Sequence, residues 1–133
     1  MILFDTSAII DFLKGGVKTK SIVEEIESNR ESVYTTVISQ YELLTPVYHK
    51  RMKPEERNIR AFLRRSIVFP LDQNSAEKAS RIMGSLYKLG LPINALDTMI
   101  AGIAIETGTD KIATLDRDFM QIAKVTDLDM III

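Results

Sequence analysis

The sequence predicts an α/β fold in which a mainly parallel central sheet is covered by helices on both faces, a three-layer α/β/α sandwich. Three observations lead to this prediction. Five short apolar or β-branched runs alternate with longer segments of helical spacing, glycine and proline mark several segment ends, and the loops are short. Strands that alternate with helical crossovers are typical of parallel sheets.

The five apolar runs are predicted to be buried strands. Most are continuously apolar rather than alternating with polar residues, which is the pattern of strands that are covered on both faces. The predicted strands span residues 2–4, 33–36, 67–69, 111–114 and 130–133.

The first three helical segments follow the first and second strands. The first segment begins after Asp5 and ends at Gly15 and Gly16, because glycine frequently terminates a helix. In the next two, apolar residues recur at intervals that place them on one helix face. These residues are Ile22, Val23 and Ile26 in the second helix, and Tyr41, Leu44 and Tyr48 in the third.

The remaining helical segments have clearer boundary signals. Pro54 opens the fourth helix, with Glu55 and Glu56 in its first turn, and Gly90 followed by Pro92 closes the fifth. A short seventh helix is expected near residue 119. The apolar positions of the fourth, fifth and sixth helices are Ile59, Phe62 and Leu63; Ala79, Met83, Leu86 and Tyr87; and Ile100, Ile103 and Ala104.

The composition is that of an ordinary globular protein, with 133 residues, 46% hydrophobic and 26% charged. We expect a single domain over residues 1–133, because no linker, repeat or low-complexity tract divides the chain. No apolar run approaches the ~20 residues that a membrane helix needs, and the first residues do not form a basic leader. A cytoplasmic location is therefore expected.

Residue usage excludes several kinds of catalytic site. The chain has no cysteine, which removes disulfides, thiolate nucleophiles and cysteine-containing zinc sites. A Ser-His-Asp triad would have to use His49, the only histidine, which stands beside Lys50 and Arg51 and is interpreted as a surface residue. Any chemistry must therefore depend on carboxylates.

Four acids stand where strands end or helices begin: Asp5, Glu42, Asp97 and Asp116. Each also has a purely structural interpretation. Asp5 and Asp97 suit the caps of the helices that follow them, and Asp116 suits an Asx-turn with Asp118 nearby. Glu42 lies three residues after Ser39 and fits a capping box. Taken singly, no site decides between structure and function.

The four acids predict a function when they are considered together. Asp5 and Asp116 follow strands whose carboxyl ends face one crevice in a parallel sheet, and Glu42 and Asp97 are expected on the first turns of helices that leave that edge. Four converging carboxylates repel one another unless cations neutralise them. Mg²⁺ and Mn²⁺ prefer oxygen ligands and hold phosphate oxygens in hydrolytic sites, so the set predicts a metal-dependent hydrolase.

The motifs around these acids resemble the PIN-domain family, particularly the small VapC-type toxin ribonucleases of toxin-antitoxin pairs. Each motif is weak alone, but the four in this order within a chain of this length are fairly specific, and they span nearly the whole chain. The motifs are Asp5-Thr6-Ser7-Ala8-Ile9-Ile10, Tyr41-Glu42-Leu43-Leu44, Asp97-Thr98-Met99-Ile100-Ala101 and Thr114-Leu115-Asp116-Arg117-Asp118-Phe119.

The resemblance implies a PIN-like fold, hydrolysis of RNA, and a site that holds one or two Mg²⁺ or Mn²⁺ ions. It further implies a small antitoxin partner that blocks the site and a toxin homodimer. The residue roles that it implies are metal ligation by Asp5, Glu42, Asp97 and Asp116, support by Asp118, and hydroxyl groups beside the metals from Thr6 or Ser7 and from Thr114.

Two other functions remain open at the level of sequence. A phosphoaspartate phosphatase or receiver domain also places Asp at strand ends, but the phosphatase needs a second Asp where Ser7 stands, and the receiver's lysine has no obvious counterpart. A catalytically silent RNA-binding or RNA-processing module could share the fold. The intact acids argue against silence, and a measurement of divalent-ion binding would distinguish the silent module from the metal-dependent hydrolase.

Two surfaces are candidates for partners. Residues 49–65 hold seven cations against two acids, although the chain as a whole carries −1. Arg57, Arg60 and Arg64 share one face of the fourth helix and could contact RNA phosphates, an acidic protein or only solvent. In the first helix, Ile9-Ile10 and Phe12-Leu13 cover more than one side, which favours a homodimer if part of this surface is exposed.

Overall fold

A computed structural model describes residues 1–51 and 53–133 of the chain. Within those residues the chain forms five strands and seven helices. In chain order they are β1 (Ile2–Phe4), α1 (Thr6–Leu13), α2 (Val17–Ser28), β2 (Val33–Thr36), α3 (Val37–Lys50), α4 (Lys53–Arg64), β3 (Ser66–Phe69), α5 (Gln73–Lys88), α6 (Ala95–Glu106), β4 (Lys111–Thr114), α7 (Phe119–Val125) and β5 (Asp129–Ile132).

The strands form one sheet in the order β3-β2-β1-β4-β5, and each of the four pairings is parallel. β1 is central, with Leu3 beside Tyr34 of β2 and beside Ile112 of β4. The carboxyl ends of β1 and β4 are therefore neighbours, as expected for Asp5 and Asp116. The structure confirms the predicted α/β sandwich and all five strands, with β3 and β5 beginning one residue earlier than expected.

Alternate residues of the strands enter two separate cores. On one face, Leu3 and Ile112 pack with α5, α6 and α7, and on the other Phe4 and Ala113 pack with α1, α2, α3 and α4. This alternation follows from the two-residue period of a strand, and it explains why apolar or β-branched residues occupy consecutive positions in the strands. The sheet is thus covered on both faces.

Helices α5 and α6 approach each other closely at Gly102. A Cβ atom at this position would lie 2.4 Å from the carbonyl oxygen of Ser75 and 2.8 Å from the backbone nitrogen of Ala79. Only glycine fits this approach without movement of the backbone. Because α6 carries Asp97, this contact helps to fix where Asp97 lies relative to the sheet.

The start of α3 differs from the prediction. The N-cap is Thr36, whose Oγ1 accepts a hydrogen bond of 3.2 Å from the backbone nitrogen of Ser39. The capping box proposed for Ser39 and Glu42 is therefore wrong, because Ser39 already lies inside the helix. Glu42 stands in the second turn rather than in the first. The alternative that explained Glu42 as a capping residue is removed.

The inward face predicted for α3 is also wrong. Tyr41 and Tyr48 are 63% and 71% exposed, and the buried residues of α3 are Ile38, Ser39, Leu43 and Val47. Tyr87 of α5 is likewise 65% exposed. A spacing of three or four residues defines a face but not its direction, and tyrosine is polar enough to be tolerated on either side.

The surface of α1 is less apolar than predicted. Ile9 is fully buried, and Phe12 and Leu13 are half-buried, with the Phe12 ring 5.5 Å from the ring of Phe62. Ile10 is the exposed member of the group, at 39%. The core that α1 shares with α2, α3 and α4 therefore takes up most of the side chains that had suggested an interface.

None of the helices in residues 1–51 and 53–133 is both long enough and apolar enough to cross a membrane.

Candidate metal centre

Asp5 follows β1 directly and caps α1. Its side chain is 3% exposed, and its Oδ1 accepts hydrogen bonds from the backbone nitrogen of Ala8 at 2.9 Å and from the hydroxyl of Ser7 at 2.7 Å. Oδ2 accepts a hydrogen bond of 2.5 Å from the hydroxyl of Thr114. The N-cap interpretation is correct, yet a cap alone does not require three donors on a buried carboxylate.

The loop after β4 is tied to the start of α1 by hydroxyl groups. The Thr114 oxygen that donates to Asp5 also accepts from the backbone nitrogen of Asp116 at 2.9 Å, and the Ser7 oxygen accepts from the backbone nitrogen of Leu115 at 2.9 Å. Asp5 and Asp116 are thus held by one hydrogen-bonded unit. The family resemblance had implied hydroxyl groups from these residues beside the metals, and that role stays a prediction.

Asp116 and Asp118 form the Asx-turn expected from the sequence. The Oδ1 of Asp116 accepts a hydrogen bond of 2.9 Å from the backbone nitrogen of Asp118. This turn brings both carboxylates towards Asp97. One carboxylate oxygen from each of Asp97, Asp116 and Asp118 lies within 4.8 Å of the other two. We call these three residues the aspartate trio.

Asp97 does not cap its own helix. Asn94 caps α6, with its Oδ1 accepting a hydrogen bond of 2.8 Å from the backbone nitrogen of Leu96. Asp97 stands in the first turn of α6, as predicted. The carboxylate of Asp97 is therefore not required for the cap of α6, and it lies in the trio.

Glu42 approaches the site from α3 and is held by α1. The hydroxyl of Thr6, the residue after Asp5, donates to Glu42 Oε1 at 2.6 Å and lies 3.0 Å from the hydroxyl of Ser39. Ser39 was not predicted as part of the site, because the sequence does not show that Thr36 rather than Ser39 caps α3. Glu42 and Asp5 lie outside the aspartate trio.

The acids perturb one another electrostatically. Burial, and then the charges of Asp116, Asp5 and Glu42, raise the pKa of Asp97 to about 7. Burial also raises the pKa of Asp5, although the hydrogen bonds from Thr114, Ala8 and Ser7 oppose the rise. All four predicted acids therefore act on one region, because each of the other three contributes to the pKa of Asp97.

This donor set fits a hard divalent cation. Carboxylate oxygens are the ligands that Mg²⁺ and Mn²⁺ prefer, and the trio offers one from each of three residues at close range. A carboxyl with a pKa near 7 is only partly ionised at neutral pH unless a cation offsets the repulsion. The residues present thus favour a bound divalent ion.

The basic face of α4 is partly engaged within the chain. Arg60 donates from Nε to Glu56 Oε2 at 2.8 Å and from Nη2 to the hydroxyl of Tyr48 at 2.9 Å. Arg57 and Arg64 are exposed. The three arginines therefore share a face, as predicted, but Arg60 is already positioned by its neighbours. His49 is exposed on α3.

An apolar groove opens beside Glu42. It lies between α1, α3 and α4, and residues from all three helices line it. Glu42 is part of its wall, so a molecule lying in the groove would come close to the acids. The apolar residues of the groove are Ile10, Leu13, Leu43, Pro46, Val47 and Ile59.

One protein family matches this chain over most of its length. The PIN domain family matches residues 2–125 of the sequence. No curated protein matches the sequence significantly.

Several solved structures share the fold. A chain of VapBC2 from Rickettsia felis, solved bound to a DNA fragment from the promoter, is 18% identical, with a TM-score of 0.86 and coverage of 100% of this chain and 99% of that chain. A chain of VapBC-1 from nontypeable Haemophilus influenzae is 23% identical, with a TM-score of 0.80 and coverage of 99% of this chain and 98% of that chain. A chain of VapBC-5 from Mycobacterium tuberculosis, a member of the VapBC family of toxin-antitoxin systems, is 20% identical. Its TM-score is 0.73, with coverage of 98% of this chain and 97% of that chain.

Proposed function

The chain belongs to the PIN domain family, and from this premise we propose that it is a divalent-metal-dependent endoribonuclease that acts as the toxin of a toxin-antitoxin pair. PIN domains are generally nucleases of the hydrolase type. The RNA substrate, the metal dependence and the toxin role are parts of the proposal. One observation carries it, the convergence of the acids on Asp97.

The proposed metal ligands are Asp97 and Asp116, with Asp118, Asp5 and Glu42 ligating directly or through water. When bound, Mg²⁺ or Mn²⁺ would supply a water of lowered pKa and positive charge against the phosphate oxygens. The chain supplies the ligand geometry. A carboxylate oxygen can accept two hydrogen bonds, so Asp5 Oδ2, which accepts one among the described residues, retains a lone pair for a cation.

The hydroxyl groups orient these acids. Thr114 and Ser7 hold the Asp5 carboxylate in one rotamer, and Thr6 does the same for Glu42. Charge-assisted hydrogen bonds of this length are strong for neutral donors, and they fix the orientation of each carboxylate before substrate arrives. The site is thus organised in advance of binding.

Partners follow from the same proposal. The solved relatives from Haemophilus influenzae and Mycobacterium tuberculosis carry the VapBC name, and the second is described as a toxin-antitoxin system. The apolar groove beside Glu42 supports a small antitoxin, because an apolar segment lying there would reach the acids. We further propose RNA contacts by Arg57, Arg60 and Arg64, and a homodimer in solution.

The test is cleavage of a mixed-sequence RNA by the purified chain with Mg²⁺, with Mn²⁺ and with a chelator. The parent should cleave with either metal and not with the chelator. Asp97→Asn and Asp116→Asn should lose at least about a hundredfold in rate, as expected when a positioned charge is removed from a catalytic site. Glu24→Gln, on the exposed face of α2, is the matched control and should cleave normally. Normal cleavage by Asp97→Asn would contradict the proposal.

A further inference from the structure

Two exposed tyrosines on α3 stand out because neither ring is packed into a core. Tyr41 and Tyr48 are 63% and 71% exposed, and they are seven residues apart, which places them on one helix face at a separation of about 10 Å along the axis. By contrast, Tyr34 stacks on Phe69, with ring centroids 5.4 Å apart and planes 3° from parallel. The side chains of Tyr41 and Tyr48 are therefore available to a partner.

The ring nearer the end of α3, that of Tyr48, lies next to positive charge. The guanidinium of Arg60 donates to the hydroxyl of Tyr48, which holds the outer end of that ring in place. Arg57 and Arg64 are one turn before and one turn after Arg60 on the same face of α4, and both are exposed. Aromatic rings beside a row of arginines form a surface that is complementary to a polyanion with flat bases.

The surface also begins at the candidate metal centre. Tyr41 directly precedes Glu42 in α3, and Glu42 turns inward to the hydroxyl of Thr6 while Tyr41 points outward. From Tyr41 the exposed face runs about two helical turns to Tyr48. An RNA strand that is cut at the acid cluster can therefore continue along the exposed face of α3.

We propose that Tyr41 and Tyr48 are base-stacking residues that hold the unpaired bases of a single-stranded RNA beside the metal centre, while Arg57, Arg60 and Arg64 contact its phosphates. This inference rests on the proposed function and adds the residues that engage the bases. Single-stranded RNA presents its bases to aromatic side chains, whereas a duplex keeps them stacked internally. The surface thus selects unpaired RNA, with little dependence on base identity.

The test measures binding without cleavage. Asp97→Asn, with a chelator present, is titrated with a short unstructured RNA and with the same RNA carrying abasic riboses. Adding Tyr41→Ala or Tyr48→Ala should weaken binding of the first RNA roughly fivefold to a hundredfold, which corresponds to stacking of one base per ring. Binding of the abasic RNA should not change.

Salt dependence and a conservative variant separate stacking from a general structural effect. The tyrosine variants should leave the slope of log K against log[salt] unchanged, whereas Arg57→Ala should reduce it by about 0.7, the value for one phosphate of a single strand. Tyr41→Phe keeps the ring and removes a hydroxyl that has no hydrogen-bond partner among the described residues, so this variant should bind RNA like the protein with Tyr41. Tyr87→Ala, which removes a tyrosine of similar exposure on α5, is the matched control and should have no effect.

Equal affinity of Asp97→Asn with and without Tyr41→Ala or Tyr48→Ala for the base-containing RNA would overturn the proposal. If the tyrosine changes also alter the sedimentation mass, the face belongs to a protein interface instead. Cleavage by the parent is measured in parallel. If the parent cleaves RNA but the tyrosines are not needed for RNA binding, only this inference fails. If the parent cleaves no RNA but binding still depends on the bases and the tyrosines, the proposed function fails and the assignment of an RNA-binding surface is retained.

Discussion

Replacing Asp97 by Asn should stabilise the metal-free protein, because the native fold disfavours the ionised form of the Asp97 side chain. Burial and three neighbouring acids raise the pKa of Asp97 from its ordinary 3.8 to about 7. A change of that size corresponds to about 4 kcal/mol at a pH above both values. Asp97 is only half-buried, and solvent screening reduces the expected effect to about 2 kcal/mol.

The sign follows from proton binding. The folded chain keeps the Asp97 proton up to about pH 7, whereas the unfolded chain releases it near 3.8, so the folded form binds more protons between these values. The free energy of unfolding of the parent therefore falls as the pH rises through this window. Asn cannot ionise, so the variant lacks this contribution.

The assay is urea or thermal unfolding of both proteins with a chelator, at about pH 4 and about pH 8. The two should be nearly equal in stability at the lower pH. At the higher pH, Asp97→Asn should be more stable by about 2 kcal/mol, or roughly 6–10 °C in Tm for a chain of this size. Glu24→Gln controls for the loss of one exposed negative charge. A variant that is less stable than the parent at the higher pH would refute the reasoning and return Asp97 to a structural role.

Two further predictions concern the framework of the site. Thr114→Val removes the hydroxyl that donates to Asp5, so it should destabilise the fold by about 1–3 kcal/mol and reduce RNA cleavage at least tenfold. Thr114→Ser should retain most of the stability and most of the cleavage, and normal cleavage by the valine variant would count against the hydroxyl's role. Gly102→Ala should cost about 1–3 kcal/mol in urea unfolding because its Cβ meets the Ser75 carbonyl, while Gly84→Ala, in open space on α5, should be neutral or stabilising by up to about 1 kcal/mol; equal effects would show that α5 and α6 can separate freely.

The fold was predictable because strand and helix signals in the sequence are local. Continuous apolar runs such as residues 2–4 correspond to strands that are covered on both faces, and Gly15 and Pro54 lie within a residue or two of helix ends. The positions of Asp5 and Asp116 then follow from the geometry of a parallel sheet. These inferences need only the sequence and the periods of regular structure.

The details of the site depend on competition and on distant contacts. Thr36 and Ser39 are both good caps, and the sequence does not show that Thr36 is used, so Glu42 was placed one turn too early. The bond from Thr6 to Glu42 joins residues 36 apart in sequence, and that from Thr114 to Asp5 joins residues 109 apart. Such pairs are fixed by helix packing, which local patterns do not encode.

The exposed tyrosines illustrate a second limit of periodicity. Tyr41 and Tyr48 share a face of α3, as their spacing predicts, but the sequence does not say which face turns inward. The answer comes from Leu43 and Val47, which are less ambiguous apolar residues and are buried. The contact between Tyr48 and Arg60 depends in turn on the packing of α3 against α4.

The most direct test of the central claim is the chemistry of the cut ends. The chain has one histidine, and it is exposed, so the proposed attacking group is a water that would be made reactive at the acid cluster rather than the RNA 2′-hydroxyl. The products of cleavage with Mg²⁺ or Mn²⁺ should carry linear phosphate ends, and RNA methylated at the 2′-oxygen of the scissile position should still be cut. Cyclic 2′,3′-phosphate ends, or cleavage that persists in a chelator, would contradict the account.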